Sequence, residues 1–153
     1  MAKRKILEDG RDYTFRSYFE LSYEPDEILA EFDYTLIIQE LSLPKSNTEL
    51  QRTAELKQKI IKVLPLVSLS NETARKEILV SPLLLEIVLY YECKIRFDYQ
   101  LEVSNILKGN LDYFLQLENQ FLVIEAKNDD LTRGFTQFAV ELIALSQVEE
   151  QVI

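Results

Sequence analysis

At 153 residues, 47% apolar and with 8 Tyr and 8 Phe, the chain has the length and composition of one globular domain with a real core. It contains no His and a single cysteine, Cys93, which excludes histidine ligands and bases, an internal disulfide and a cysteine-rich zinc site, so acid–base chemistry must rest on carboxylates, Lys or Tyr. A net charge of −9 argues against strong non-specific nucleic-acid binding, which is largely phosphate neutralisation, and no apolar run reaches the roughly 18 residues that span a bilayer.

The charge is unevenly spread. Residues 1–50 hold 6 basic and 11 acidic side chains and residues 111–153 hold 2 and 8, whereas residues 51–110 hold 9 and 7. The middle segment is therefore the plausible phosphate-facing surface. The basic start Met1 to Lys5 is not followed by an apolar signal segment, so export is not expected and a cytoplasmic location without a membrane partner is.

Residues 1–20 are mixed and aromatic and give no firm element. Pro25-Asp26-Glu27 has the form of a helix first turn, with Pro near N1 and acids at the positive dipole end, and leads into Ile28–Phe32. Tyr34–Leu43 is apolar and β-branched enough to predict a strand, stopped by Pro44. Ser46 and Glu49 are spaced as a capping box, predicting a helix to about Leu64 with Leu50, Ala54, Ile60, Ile61 and Leu64 on its apolar side, a Glu55–Lys59 pair, and Pro65 ending it. Ser70-Asn71 opens a helical stretch over Glu72–Val80, and Ser81-Pro82 restarts it as Leu83–Glu92. Glu86 is the one charged residue between Ser81 and Tyr91 in that second piece, so the helix reads as buried and its carboxylate as needing a partner.

Lys94–Val103 alternates apolar and polar residues as a half-buried strand does. Lys108-Gly109-Asn110 reads as the turn into the next strand. Leu111–Lys127 then has the pattern of a β-hairpin, two aromatic and branched runs around a polar step at Glu118-Asn119. A turn centred there opposes Leu117 with Gln120, Leu115 with Leu122, Phe114 with Val123 and Asp112 with Glu125. Opposed residues share a face, and alternation brings Lys127 to the face of Glu125. Two carboxylates and an ammonium at one end of a hairpin call for compensation, and a divalent cation is the economical candidate. After Lys127, Asn128-Asp129-Asp130 reads as a helix cap and Leu131–Val148 as a helix. Phe135, Phe138, Leu142 and Leu145 form its apolar stripe and Arg133, Gln137 and Glu141 a polar one, while Gly134 costs about 1 kcal/mol relative to Ala inside a helix and suggests close packing on the sheet.

Asp112, followed thirteen residues later by Glu125-Ala126-Lys127 at the end of an apolar strand, resembles the core of the PD-(D/E)XK nuclease superfamily, over about Asn71 to Val148. The residue before Asp112 is Leu111, where that pattern has Pro. The resemblance implies that Asp112, Glu125 and the Ala126 carbonyl hold Mg²⁺ or Mn²⁺ and that Lys127 positions the attacking water. It also implies an acidic residue on the preceding helix, matched by Glu86 with Glu77 as the fallback, and a supporting Gln on the last helix, matched by Gln137. The residues themselves allow a second reading of both: Glu86 as a structural acid bonded to a Tyr or Arg, and Gln137 as part of a solvated face.

The expected fold is α/β (α+β), one domain over 1–153. A restriction endonuclease-like α-β-β-β-α core, a mixed sheet flanked by helices, occupies 68–150, with 1–67 as an N-terminal extension of helices and a strand. Such a core carries a fourth strand after its last helix, and only five residues follow Val148. That strand is then missing, replaced, or supplied by a second copy or a partner chain. Two functions are expected to compete: a metal-dependent nuclease hydrolysing phosphodiester bonds, of DNA ahead of RNA, and a non-catalytic binding or assembly module on the same fold.

Overall fold

Two hairpins in succession build the sheet. In this computed structural model, which describes residues 5–48, 52–118, 120–127 and 130–148, β1 (Lys94–Ser104), β2 (Leu107–Leu117) and β3 (Gln120–Ile124) pair in the order β1-β2-β3. Both pairings are antiparallel, because each connection is a tight turn, so the expected mixed sheet is corrected to an antiparallel one among the described residues. β2 and β3 take the predicted register, Leu117 with Gln120, Leu115 with Leu122 and Phe114 with Val123. Tyr99 stacks on Phe114 at 4.9 Å and Phe114 on Phe121 at 5.6 Å, an aromatic ladder across all three strands.

The first turn lies elsewhere than Lys108–Asn110: it is Asn105-Ile106, and Gly109 sits inside β2. Its role there is close approach. At φ +145° a Cβ on Gly109 would stand 2.9 Å from the Phe15 ring and 3.2 Å from the Phe15 backbone nitrogen. Phe15 begins α1 (Phe15–Glu20), and the same region clamps the turn: Tyr13 N–H donates to the Asn105 carbonyl at 2.9 Å and Tyr18 Oη to that of Ile106 at 2.6 Å. α2 (Pro25–Leu29) follows, with Pro25 at its first turn, and a 3₁₀ turn Ala30–Phe32 ends it. Tyr13, Phe15, Tyr18, Ile28 and Leu29 thus lie in the main core with Phe114, Phe121, Val123 and the last helix, α6 (Leu131–Val148). The stretch from Ile6 to Leu36 shares that core.

Tyr34–Leu43 is not a strand. It runs without regular structure, and Leu36 is its one half-buried residue, packed against the core. Its apolar side chains predicted burial in a sheet, yet β3 keeps a free edge among the described residues. α3 spans Thr53–Val63, starting later than the Ser46 spacing predicts; Ser46 Oγ instead accepts the Thr48 N–H at 3.1 Å, and Glu49 and Leu50 lie outside the described residues. Its half-buried stripe is Leu56, Ile60 and Val63, and Glu55 faces Arg52 at 3.8 Å.

The helix before the sheet is one run with a distortion. α4 (Glu72–Arg75), capped by Asn71 accepting the Ala74 N–H at 2.8 Å, continues through a π turn over Lys76–Val80 into α5 (Ser81–Tyr91). Pro82 has no N–H for the Ile78 carbonyl, and the run widens just before it, with Ser81 N–H bonding the Lys76 carbonyl five residues back. Leu84, Ile87 and Val88 pack on Tyr113 and Leu115, on the sheet face opposite α6. α5 is not apolar-buried all round: Leu83, Leu85 and Leu89 are exposed.

Candidate metal centre

β3 and α6 meet where charge is concentrated. The β2–β3 pairing ends at Tyr113 with Ile124, one step short of Asp112 and Glu125, and the Asp112 side chain ties down the segment that follows β3: Ala126 N–H donates to Asp112 Oδ2 at 3.0 Å. Lys127 Nζ reaches Glu125 Oε1 at 2.5 Å, with the Phe19 ring centroid 5.5 Å from the ammonium. Gly134 explains how the lysine stem fits. A Cβ on it would stand 2.7 Å from Lys127 Cγ, so the glycine opens the helix surface on which Lys127 lies. Asp130 Oδ1 accepts the Arg133 N–H at 3.0 Å and caps this helix; Asn128 and Asp129 lie outside the described residues.

Of the polar stripe of α6, Gln137 and Glu141 face inward while Arg133 stays exposed. Gln137 is 5% and Glu141 0% exposed, while Phe135 of the supposed apolar stripe stands open. Gln137 Nε2 donates both to Glu125 Oε1, at 2.9 Å, and to Glu141 Oε1, at 2.8 Å, tying the helix to the strand end. Burial pushes the Glu141 carboxyl up to about 9, helped by the Glu125 charge and opposed by the Gln137 bond and the Lys127 charge. At neutral pH Glu141 therefore carries a proton. Burial also raises Glu125, against the Lys127 bond and charge, with Asp112 adding to the rise.

Two residues enter that spacing does not reveal. Lys76 Nζ, from the π turn, sits 2.6 Å from Asp112 Oδ1 across 36 residues of sequence. Asp98 lies opposite Asp112 on β1 by register, with φ +47°, and its charge helps to keep Lys76 protonated. Burial lowers the Lys76 ammonium, but the bond and charge of Asp112 outweigh it, and the net shift is upward.

Glu86 stands apart. One helical residue is about 100° of rotation, so Glu86 lies roughly 200° round from the sheet-facing Leu84. Its carboxylate faces Arg52 of the α3 end at 3.7 Å, the structural-acid reading of the sequence. Glu77 is exposed in the π turn. The structure thus brings together Asp112, Glu125, Ala126, Lys127 and Gln137, adds Glu141 and Lys76, and pairs Glu86 elsewhere. Glu141 was legible as a polar stripe with Gln137, with its side misassigned. Lys76 had no sequence signal.

Among the described residues, no group of three or more Asp, Glu or Cys side chains is placed to hold a metal ion. The donor chemistry nevertheless fits a hard cation that keeps most of its waters, since Mg²⁺ needs only one or two protein carboxylates. Glu125 Oε2 and Glu141 Oε2 are buried without a hydrogen-bond partner, the two side-chain atoms of the described residues in that state. A polar atom left so is costly unless something fills it. Asp112 is the exception to the fit, both its oxygens being taken, by Lys76 and the Ala126 N–H.

No described helix is long and apolar enough to cross a membrane. Compared with protein-family models, curated proteins and solved structures, the chain matches none significantly.

Proposed function

We propose that the chain is a Mg²⁺- or Mn²⁺-dependent phosphodiesterase on a restriction endonuclease-like core, acting on nucleic acid, DNA ahead of RNA. One observation carries the reading: Asp112 Oδ2 accepts the Ala126 N–H, next in sequence to Glu125, whose buried Oε2 has no partner. The helix, three strands and helix from Glu72 to Val148 support it.

Asp112, Glu125 and the Ala126 carbonyl would hold the cation, which when bound supplies charge to the phosphate and acidity to a water. Lys127 orients the nucleophile: an ammonium has three donors, Glu125 takes one, the Phe19 ring faces the ammonium, and Gly134 leaves room for the stem. Gln137 holds Glu125 from behind. Glu141 buffers the cluster by staying neutral, so that Glu125 does not face a second full charge. In the hydrolysis a bond forms from the water oxygen to phosphorus, the bond to the leaving oxygen breaks, and that oxygen takes up the proton that the water gives to solvent. The test is cleavage of single- and double-stranded DNA with either metal. EDTA should stop it, and Asp112→Asn should remove both metal binding and cleavage.

A binding or assembly module is the second reading, favoured by exposed Ile37, Ile38, Leu41 and Leu43 and by the open leucines of α5. Wild-type chain that cuts neither substrate with either metal, and sediments with a partner or a second copy, selects it.

A further inference from the structure

Lys76 is the least expected member of the cluster. It comes from a π turn, a widening that alters the angular placement of the side chains on either side of it. Its ammonium meets Asp112 Oδ1 at 2.6 Å and stands 5.5 Å from the Tyr113 ring centroid, with the two side chains 20% and 14% exposed. That is the oxygen an incoming cation would need, because Oδ2 is committed to the Ala126 N–H. An ammonium and a divalent cation repel, and neither can use this oxygen fully while the other holds it.

We infer that Lys76 is a built-in counter-ion for Asp112, which occupies the carboxylate while the site is metal-free and is displaced when a divalent cation binds. The inference rests on the reading of Asp112 as a metal ligand, and adds what controls loading. Without Lys76, Asp112 and Glu125 would face each other with Lys127 as the nearest compensating charge, a costly state in a half-buried site. With Lys76 the metal-free protein is stable, and the cation must compete for its ligand. The affinity for metal alone is then weakened by an intramolecular competitor, and the side chain that yields lies at the edge of the site, partly exposed.

Mn²⁺ titration by calorimetry on the whole chain, with thermal melting in parallel, tests this. Lys76→Met should bind Mn²⁺ about tenfold more tightly than wild type, since a like charge is removed from the ligand. Lys76→Gln, which stays polar, should do the same. Both variants should melt below wild type in EDTA and gain more from added Mn²⁺. Equal Mn²⁺ affinity in wild type and both variants, with Asp112→Asn abolishing binding, would overturn the counter-ion role and leave the metal centre standing. Weaker binding in the Lys76 variants overturns it too, making Lys76 a support of the site. If neither wild type nor the Lys76 variants bind Mn²⁺, the metal reading itself fails, and the inference with it.

Discussion

Two regions of this molecule invert the usual distribution of polarity. At the Asp112 end of the sheet, carboxylates, an amide and two ammonium groups are drawn inside, Glu141 completely so. Along Tyr34–Leu43, isoleucines and leucines stand in solvent, Ile37 at 73% and Ile38 at 91% exposure. Burying charge costs several kcal/mol per ion before its partners repay it, and leaving an Ile exposed forgoes roughly 1.5–3 kcal/mol. Both regions therefore hold the isolated chain below its best attainable stability. They differ in closure. The charged end is bonded nearly throughout and lacks two hydrogen bonds, at Glu125 Oε2 and Glu141 Oε2. The apolar segment, from Ile37 on, is barely engaged with the fold. Chemistry should therefore respond sharply to change in the first region, and folding hardly at all to change in the second.

Lys127 gives the largest expected effect. Lys127→Met keeps most of the stem that lies against Gly134 but removes the ammonium that faces Glu125 and the Phe19 ring. Cleavage should fall by about 10²–10³-fold, the usual loss for one oriented donor. Metal binding should hold or tighten slightly, because a positive neighbour of Glu125 has gone. A parallel loss of both would mean that Lys127 is merely structural. Next comes pH. Burial raises the Glu141 carboxyl from the ordinary carboxylate range to about 9, so its contribution to stability is complete below that ordinary range and is lost as pH rises through about 9. Each pH unit in that window costs up to about 1.4 kcal/mol from this group. Glu125, raised in the same direction, adds to the slope. Glu141→Gln should flatten the fall of denaturation midpoint between pH 5 and about 9; an unchanged slope would show that Glu141 ionises normally.

The contrast between the regions also shows what the sequence made legible. The hairpin register was readable because its alternation is period 2 and the polar step at Glu118-Asn119 fixes the count, which sets the pairs from Leu117 with Gln120 to Tyr113 with Ile124. The α6 helix was readable in extent but not in rotation. Gln137 and Glu141 are polar, and only their bonds to one another and to Glu125 make an inward orientation tolerable, a fact of tertiary structure. Glu86 failed in the opposite sense: apolar neighbours suggested burial, but α5 has an open side and Arg52 awaits there. Tyr34–Leu43 has strand composition without a strand partner, and composition carries no information about whether an edge is available. Glycine in a polar step usually marks a turn, whereas Gly109 lies within β2 and admits Phe15.

Gly134 sharpens the comparison at an intermediate scale. Gly134→Ala should gain roughly 1 kcal/mol of helix propensity. The new Cβ would stand 2.7 Å from Lys127 Cγ, so the flexible lysine stem must shift. Stability should change by less than about 1 kcal/mol in either direction, while cleavage drops about tenfold as the ammonium leaves its place on Glu125. Activity equal to wild type would show that the stem has slack, and that Lys127 is held by Phe19 and Glu125 alone.

The smallest effect belongs to the apolar segment and tests the other half of the comparison. Ile38→Ala removes the same atoms as Ile28→Ala, but Ile28 is fully buried between the N-terminal helices and the core, while Ile38 is nearly bare. Truncating a buried Ile costs about 2–5 kcal/mol through lost transfer energy and the cavity left behind. For Ile38 there is no cavity to leave and little area to lose, so denaturant unfolding should place Ile38→Ala within about 0.5 kcal/mol of wild type. The measurement should be made at two protein concentrations tenfold apart. A loss above about 1 kcal/mol at both concentrations would contradict an exposed Ile38, because only burial within the chain could produce it. A loss that grows with concentration would show that the segment is covered by a second copy, since stability gained from association follows mass action. A value near zero at both leaves this stretch as surface whose side chains do nothing for the fold of the single chain.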